Sequence, residues 1–192
     1  MSDKPFDSHR GYSLESVRNA VITGPHPPSP PAGMFDPTAV MALFSADPEI
    51  KLLFVQKADV KGYTWANQMA FPGGHQDKSD PSSRHTAFRE LEEEMAIAPE
   101  NVDLIGSIGH FQTLNNKDIE AWAGIWNRKD TIVYDSKEIS RVVEIPLDRL
   151  IEIHQAKGYR ENEPSIMTLT YPYEDIVIWG VTAKMVCHMI NL

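Results

Sequence analysis

The stretch from Phe71 to Ile97, FPGGHQDKSDPSSRHTAFRELEEEMAI, decides how the rest of the chain is read. It opens with a glycine turn at Gly73-Gly74, runs on as a polar loop and then takes up helical periodicity. Asp80 before Pro81 predicts the helix start: a carboxylate to accept orphan amide hydrogens, then a residue with a pre-set φ and no N–H to leave unpaired. Phe88, Leu91 and Met95 share one helical face, and Glu90, Glu93 and Glu94 share the opposite one. The predicted helix docks its apolar stripe on a core and gathers its carboxylates on the other side.

That carboxylate face is poor helix chemistry. Like charges at helical spacing repel by roughly 0.2–0.5 kcal/mol per pair. The helix dipole favours anions at the start and cations at the end. Here Arg84, His85 and Arg89 come early, while Glu90, Glu92, Glu93 and Glu94 come late. A solvated acidic face is the ordinary reading of such a run, but the reversed polarity and the flanking Phe-Pro-Gly-Gly argue for a bound cation. Mg²⁺ takes oxygen ligands, often only one or two carboxylates, and shares the rest of its shell with substrate phosphates. Arg89 stands four residues before Glu93, in position to pair with that carboxylate and fix it.

Gly74, five residues, Asp80, eight residues, and then Arg89-Glu90-Leu91-x-Glu93-Glu94-x-Ala96-Ile97 resembles the Nudix box of the Nudix hydrolases. Three positions depart from the usual box. Asp80 replaces a Glu, one extra residue precedes Arg89, and Ala96 stands where Gly ends the helix. The first two departures, with Phe71-Pro72-Gly73-Gly74 and Asp77, are similar to the coenzyme A pyrophosphatase-like branch. The third removes the residue best suited to a left-handed exit, so an altered helix end is expected. Upstream, Leu52-Leu53, Gln68 and Ala70 also match that branch's signature. Lys57-Ala58 stand for its Arg-Ser, its second Arg is absent, and Trp65 and Asn67 replace its His and Gly.

The resemblance implies an α/β/α sandwich with a mixed β-sheet between helices. It implies cleavage of a nucleoside diphosphate derivative by water attack on phosphorus, with Mg²⁺ or Mn²⁺ as cofactor. Carried over, Glu90 and Glu94 are the primary metal ligands, Glu93 assists, and the Gly74 carbonyl joins from the turn. Arg89 orients Glu93. Gln68, Phe71, Gly73 and Gly74 lie against the substrate. Glu138, before the segment resembling the family's "VPL" strand, is the candidate base outside the box, with Glu120 as a second candidate. His75, His85 and His110 lie nearby and are given no role. Homodimers are common in the family.

The remaining sequence is consistent with this. A chain of 192 residues suits one domain, divided here into a proline-rich lead-in at 1–35 and a Nudix domain at 36–192. Gly24 to Gly33 holds five of the 14 prolines and reads as a tail wrapping the domain, after a short helix at Ser13 to Val21. No apolar run reaches about 18 residues, so no membrane span is expected. Nor does the N-terminus carry an apolar signal segment. Cys187 is the only cysteine, which excludes an internal disulfide and favours the cytoplasm. A formal charge of −9 argues against nonspecific nucleic-acid binding, and an acidic protein acting on phosphates needs a bridging metal.

Strands are predicted at Ala39 to Ser45, Ile50 to Lys57, Met69 to Phe71, Val102 to Thr113, Ile119 to Trp126 and Val142 to Ile145. Asp148 to His154 reads as a helix, Ile166 to Tyr171 and Asp175 to Trp179 as a hairpin around Pro172, and the C-terminus as a helix. Three functions stay open. The first is hydrolysis of coenzyme A or its thioesters to 3′,5′-ADP and (acyl)phosphopantetheine. The second is the same chemistry on a dinucleotide or ADP-sugar. The third is a Nudix domain that binds a nucleotide or protein without catalysis. Selectivity is expected in the loops Val60 to Asn67, Leu114 to Lys117 and Lys157 to Ser165.

Overall fold

The computed structural model describes residues 12–59, 66–162 and 164–192. Tyr63 and Trp65, most of their loop, and the first eleven residues of the lead-in lie outside these. The elements in chain order are α1 (Leu14–Thr23), β1 (Asp36–Ala46), β2 (Ile50–Lys57), β3 (Met69–Ala70), β4 (Gly73–His75) and α2 (Ser83–Met95). There follow β5 (Val102–Gln112), β6 (Lys117–Trp126), β7 (Ile139–Pro146), α3 (Leu147–Ala156), β8 (Thr170–Tyr173), β9 (Ile176–Trp179) and α4 (Gly180–Asn191).

β1 is the spine of a seven-stranded mixed sheet. It is buried without a break from Thr38 to Ser45, because both its faces are covered. Alternation sorts its side chains: Val40, Ala42 and Phe44 enter one core, and Ala39, Met41 and Leu43 enter the other. The first core is closed by Val21 of α1, Leu150 and Ile151 of α3, and Ala183, Met185 and Val186 of α4. Ala87, Leu91 and Met95 of α2 close the second. Helices therefore cover both sheet faces, the α/β/α sandwich expected from the sequence.

β1 runs parallel to β6 and antiparallel to β2. β1 and β2 pair only from Leu43–Leu53 to Ala46–Ile50, and then part. The chain from Met69 to His75 fills the wedge. β3 pairs with β2 at Val55 and Gln56, and β4 pairs with β1 at Thr38 to Val40. The Pro72 carbonyl, between them, accepts the Met41 N–H at 2.9 Å. The glycine turn predicted from the sequence is thus a short strand embedded in the sheet. A cleft opens from this split.

Several local details differ from the sequence expectation. Ser82, not Asp80, caps α2, with its side chain accepting from His85 N. Ala96 takes the left-handed conformation itself (φ 56°, ψ 31°), and its N–H donates to the Glu92 carbonyl at 2.9 Å. The exit is kept without glycine because Met95 and Ile97 on either side are fully buried. Pro172 lies within β8 opposite Val177, and the hairpin turns at Glu174-Asp175. Ile166 to Thr168 form a turn before it.

The proline stretch lies along β5 and α4. The Pro27 carbonyl accepts the His110 N–H at 3.0 Å, and His26 Nδ1 lies 3.1 Å from His188 Nε2. No helix among the described residues is long and apolar enough to cross a membrane.

Candidate active site

α2 presents Glu90 and Glu94 one turn apart toward the β1–β2 split, where the Gly73-Gly74 strand receives them. Glu94 is nearly enclosed, its side chain 8% exposed. One of its oxygens accepts the Gly73 N–H at 3.0 Å, and the other takes Lys57 Nζ at 2.6 Å. The Glu90 carboxyl lies so close over Gly74 that a methyl there would stand 2.5 Å from it. Only glycine leaves room for that approach. Burial pushes the Glu90 pKa up; Arg89 opposes this, and the charges of Glu94 and Glu93 add to it.

Arg89 is the hub of the helix face. Its guanidinium donates to Asp80 at 2.9 Å, to Glu90 and Glu93 at 2.9 Å each, and to the His75 carbonyl at 3.0 Å. Asp80 also accepts the Asp77 N–H at 3.0 Å and the Thr86 hydroxyl at 2.9 Å. These bonds, with Arg89 first, hold the Asp80 carboxyl well below the usual carboxylate range. Asp80 is therefore an internal strut: it ties the loop to α2 and sets the arginine that sets two glutamates. Glu93 itself remains 60% exposed.

Glu90 and Glu94 face a cleft of about 730 Å³, whereas Asp80, Arg89 and Glu93 are not among its lining residues. Gln68, Phe71, Gly73 and Gly74, the predicted substrate-side positions, all line it, as do Lys57, Glu90 and Glu94. The lining continues with His75, the end of the same strand, with Lys117, whose Nζ meets His75 Nε2, and with Thr38, paired with His75 in the sheet, whose buried hydroxyl has no partner. The rim is apolar: Leu114 is 95% and Met167 82% exposed, with Trp179 beside them. A smaller apolar cavity of about 140 Å³ lies between α1, α3 and α4, away from these groups.

The other carboxylates named from the sequence are placed elsewhere. Glu138 sits in an exposed turn before β7 and is not among the cleft residues. Its backbone carbonyl accepts the Ala58 N–H at 2.9 Å, next to Lys57. Glu120 accepts the Ser83 hydroxyl at the start of α2 and lies 3.7 Å from His110. His110 in turn pairs with Asp118 at 2.8 Å, and His85 with the Ser82 hydroxyl at 2.8 Å. Lys57, which stands for the Arg of the branch signature, gains a partner that the sequence did not show. It lies 37 positions from Glu94, and only the strand-to-helix packing brings the two together.

Among the described residues, no three His, Cys, Asp or Glu side chains converge as a closed metal cage. The donor set is nonetheless of the hard-cation kind. Two glutamates stand beside the glycine-turn backbone on the cleft wall, an all-oxygen set of the type that hard divalent cations prefer. The repulsion felt by Glu90 from Glu93 and Glu94 is what such a cation relieves.

Residues 34–168 match the NUDIX domain. NudL of Pectobacterium atrosepticum, an uncharacterized Nudix hydrolase, is 30% identical over 158 residues, 80% of this chain and 80% of that protein. An Ap4A hydrolase from C. elegans, solved as a binary complex, superposes with a TM-score of 0.51 at 20% identity, covering 63% of this chain and 89% of that one. A MutT/nudix family protein from Enterococcus faecalis covers 94% of this chain and 74% of its own, with a TM-score of 0.53 at 14% identity. At such identities the two structures speak for the fold, while the domain match and NudL speak for descent. The chain belongs to the Nudix family of hydrolases.

Proposed function

We propose that this Nudix hydrolase cleaves the pyrophosphate bond of coenzyme A or its thioesters, with Mg²⁺ or Mn²⁺, giving 3′,5′-ADP and (acyl)phosphopantetheine. The observation that carries the reading is the juxtaposition of Glu90 and Glu94 with the Gly73-Gly74 strand on the wall of one large cleft. The Phe71-Pro72-Gly73-Gly74 opening, Gln68 and Ala70 support the coenzyme A branch, and an apolar rim suits a substrate with an acyl or pantetheine arm.

When bound, the metal neutralises the diphosphate and lowers the pKa of a water. Glu90, Glu94 and the Gly74 carbonyl would hold it, with Glu93 assisting. Arg89, locked by Asp80, keeps Glu90 and Glu93 oriented. Glu138 is the candidate base from outside the box; its turn is anchored through Ala58 one residue from Lys57. Gln68 and Phe71 contact the substrate, Phe71 being fixed by stacking on Phe54 at 4.9 Å between centroids. The hydrolase unit is residues 36–192, preceded by the lead-in at 1–35, whose proline stretch at 24–33 lies along β5 and α4, and the protein works in the cytoplasm.

The test is a mass-spectrometric product assay with Mn²⁺ and a panel of coenzyme A, an acyl-coenzyme A, ADP-ribose, a reduced dinucleotide and a diadenosine polyphosphate. Release of 3′,5′-ADP from coenzyme A, lost in Glu94→Gln, is the expected result. Cleavage of another panel member instead moves the substrate and keeps the chemistry. Metal binding with no turnover of any member favours a binding-only domain.

A further inference from the structure

We propose that Lys57 is an exchangeable counter-ion. It competes with the divalent cation for Glu94, and once displaced it turns to the substrate diphosphate, so that metal and substrate bind cooperatively. The inference rests on the metal-dependent reading above.

Glu94 divides its two oxygens between unlike partners. The Gly73 N–H, 3.0 Å away, is backbone inside a paired strand and does not move independently. Lys57 Nζ, 2.6 Å away, is the tip of a four-carbon stem. The lysine backbone is fixed: its N–H donates to the Gln68 carbonyl and its carbonyl accepts the Asn67 N–H. Exchange therefore needs only side-chain rotation. Lys57 and Glu94 both line the cleft, so the ammonium leaves Glu94 without leaving the site.

Two cations cannot share this enclosed carboxylate cheaply, because like charges a few ångströms apart repel strongly where solvent screening is reduced. An anion delivered to the same cleft removes that repulsion by giving the ammonium a new partner. Arg89 cannot play this part, being held by Asp80, Glu90, Glu93 and the His75 carbonyl together. A compact, rotatable ammonium suits exchange; a forked guanidinium fixed by several acceptors suits orientation. By linkage, whatever the diphosphate adds to metal affinity the metal adds to diphosphate affinity.

The test is Mn²⁺ titration of the full chain, followed through the EPR signal of free Mn²⁺, with and without the non-hydrolysable α,β-methylene analogue of ADP. For wild type we expect weak Mn²⁺ binding alone and about tenfold tighter binding with the analogue. Lys57→Met should bind Mn²⁺ alone about tenfold more tightly than wild type and lose most of the analogue's effect. Lys57→Gln, which keeps a hydrogen bond to Glu94 without the charge, should behave likewise. Lys57→Arg should restore the weak binding and the coupling. A lysine that merely braced the fold would weaken both affinities in all three variants together with thermal stability, which overturns the proposal. So does unchanged Mn²⁺ affinity or undiminished coupling in Lys57→Met and Lys57→Gln. Glu94→Gln is the separate control: if it leaves Mn²⁺ affinity unaltered, the metal assignment itself falls.

Discussion

Gly74→Ala should switch the hydrolase off while leaving it folded. A methyl built on Gly74 stands 2.5 Å from the Glu90 carboxyl carbon and one oxygen, and 2.7 Å from the other oxygen. Ordinary contact begins near ~3.5 Å, so the carboxylate must retreat by about 1 Å. It is able to, since it is the end of a flexible side chain and Gly74 does not have a positive φ. The cost to folding should stay below about 1 kcal/mol, the scale of one off-rotamer side chain. A displacement of about 1 Å in a positioned group is worth about a hundredfold in rate.

The assay is kcat at saturating Mn²⁺ and substrate, with thermal unfolding run in parallel. Because both changes act on one carboxylate, Gly74→Ala combined with Glu90→Gln should be no worse than Glu90→Gln alone. Activity within about twofold of wild type, or fully additive losses in the double variant, would refute the reasoning. The adjacent glycine supplies the contrast. Gly73 has φ +149°, and a methyl there would strike the Ala39 carbonyl at 2.2 Å and Val40 Cα at 2.6 Å, both backbone. Gly73→Ala should therefore unpair β4 from β1 and lose about 2–3 kcal/mol of stability together with activity.

Glu94→Gln should remove metal-dependent turnover by about a hundredfold or more while the Gly73 N–H keeps an acceptor, so the circular dichroism spectrum stays native. Asp80→Ala releases Arg89 from its principal partner; we expect about 2 kcal/mol lost by denaturant titration and about 10–100-fold in kcat, with Glu90, Glu93 and the His75 carbonyl left as acceptors for Arg89. Burial first, then the charges of His26 and Lys184, hold the His188 pKa down to about 4. The unfolded chain, with histidines near 6.5, binds protons before the folded one does, so stability should be full above about pH 6.5 and fall as pH drops toward 4. His154, lowered by burial, adds to the same slope. Melting temperature measured across that range should show the decline, and His188→Asn should flatten it.

The central strands were legible from sequence because their apolar runs are long enough to be buried on both faces, as β1 and β2 are. The box helix was legible in its two faces, since i, i+3 and i+4 spacing is a local property. Its cap was not: Asp80 has the chemistry of an N-cap, and only the fold shows that Arg89 outbids the helix end for it. The Gly73-Gly74 pair carries no strand signal, because glycine has no side chain to alternate, and β4 exists through its pairing with β1. The left-handed Ala96 breaks a local preference for a tertiary reason, the burial of its neighbours. Thr38 and Lys117 reach the cleft through contacts between distant segments, so no spacing rule reveals them; Lys57 falls at the signature's Arg position, but its pairing with Glu94 comes only from the fold.

The closure at the end of β2 has a consequence for how this scaffold changes over generations. Lys57 and Gln68, and Lys57 and Asn67, are joined by backbone bonds of 3.0 and 3.1 Å, which seal the base of the segment that precedes the glycine strand. Residues added beyond that seal cost little stability, because loop-closure entropy grows only slowly with length. That segment can thus change in length while Gly73, Gly74 and α2 keep the pairing that holds them.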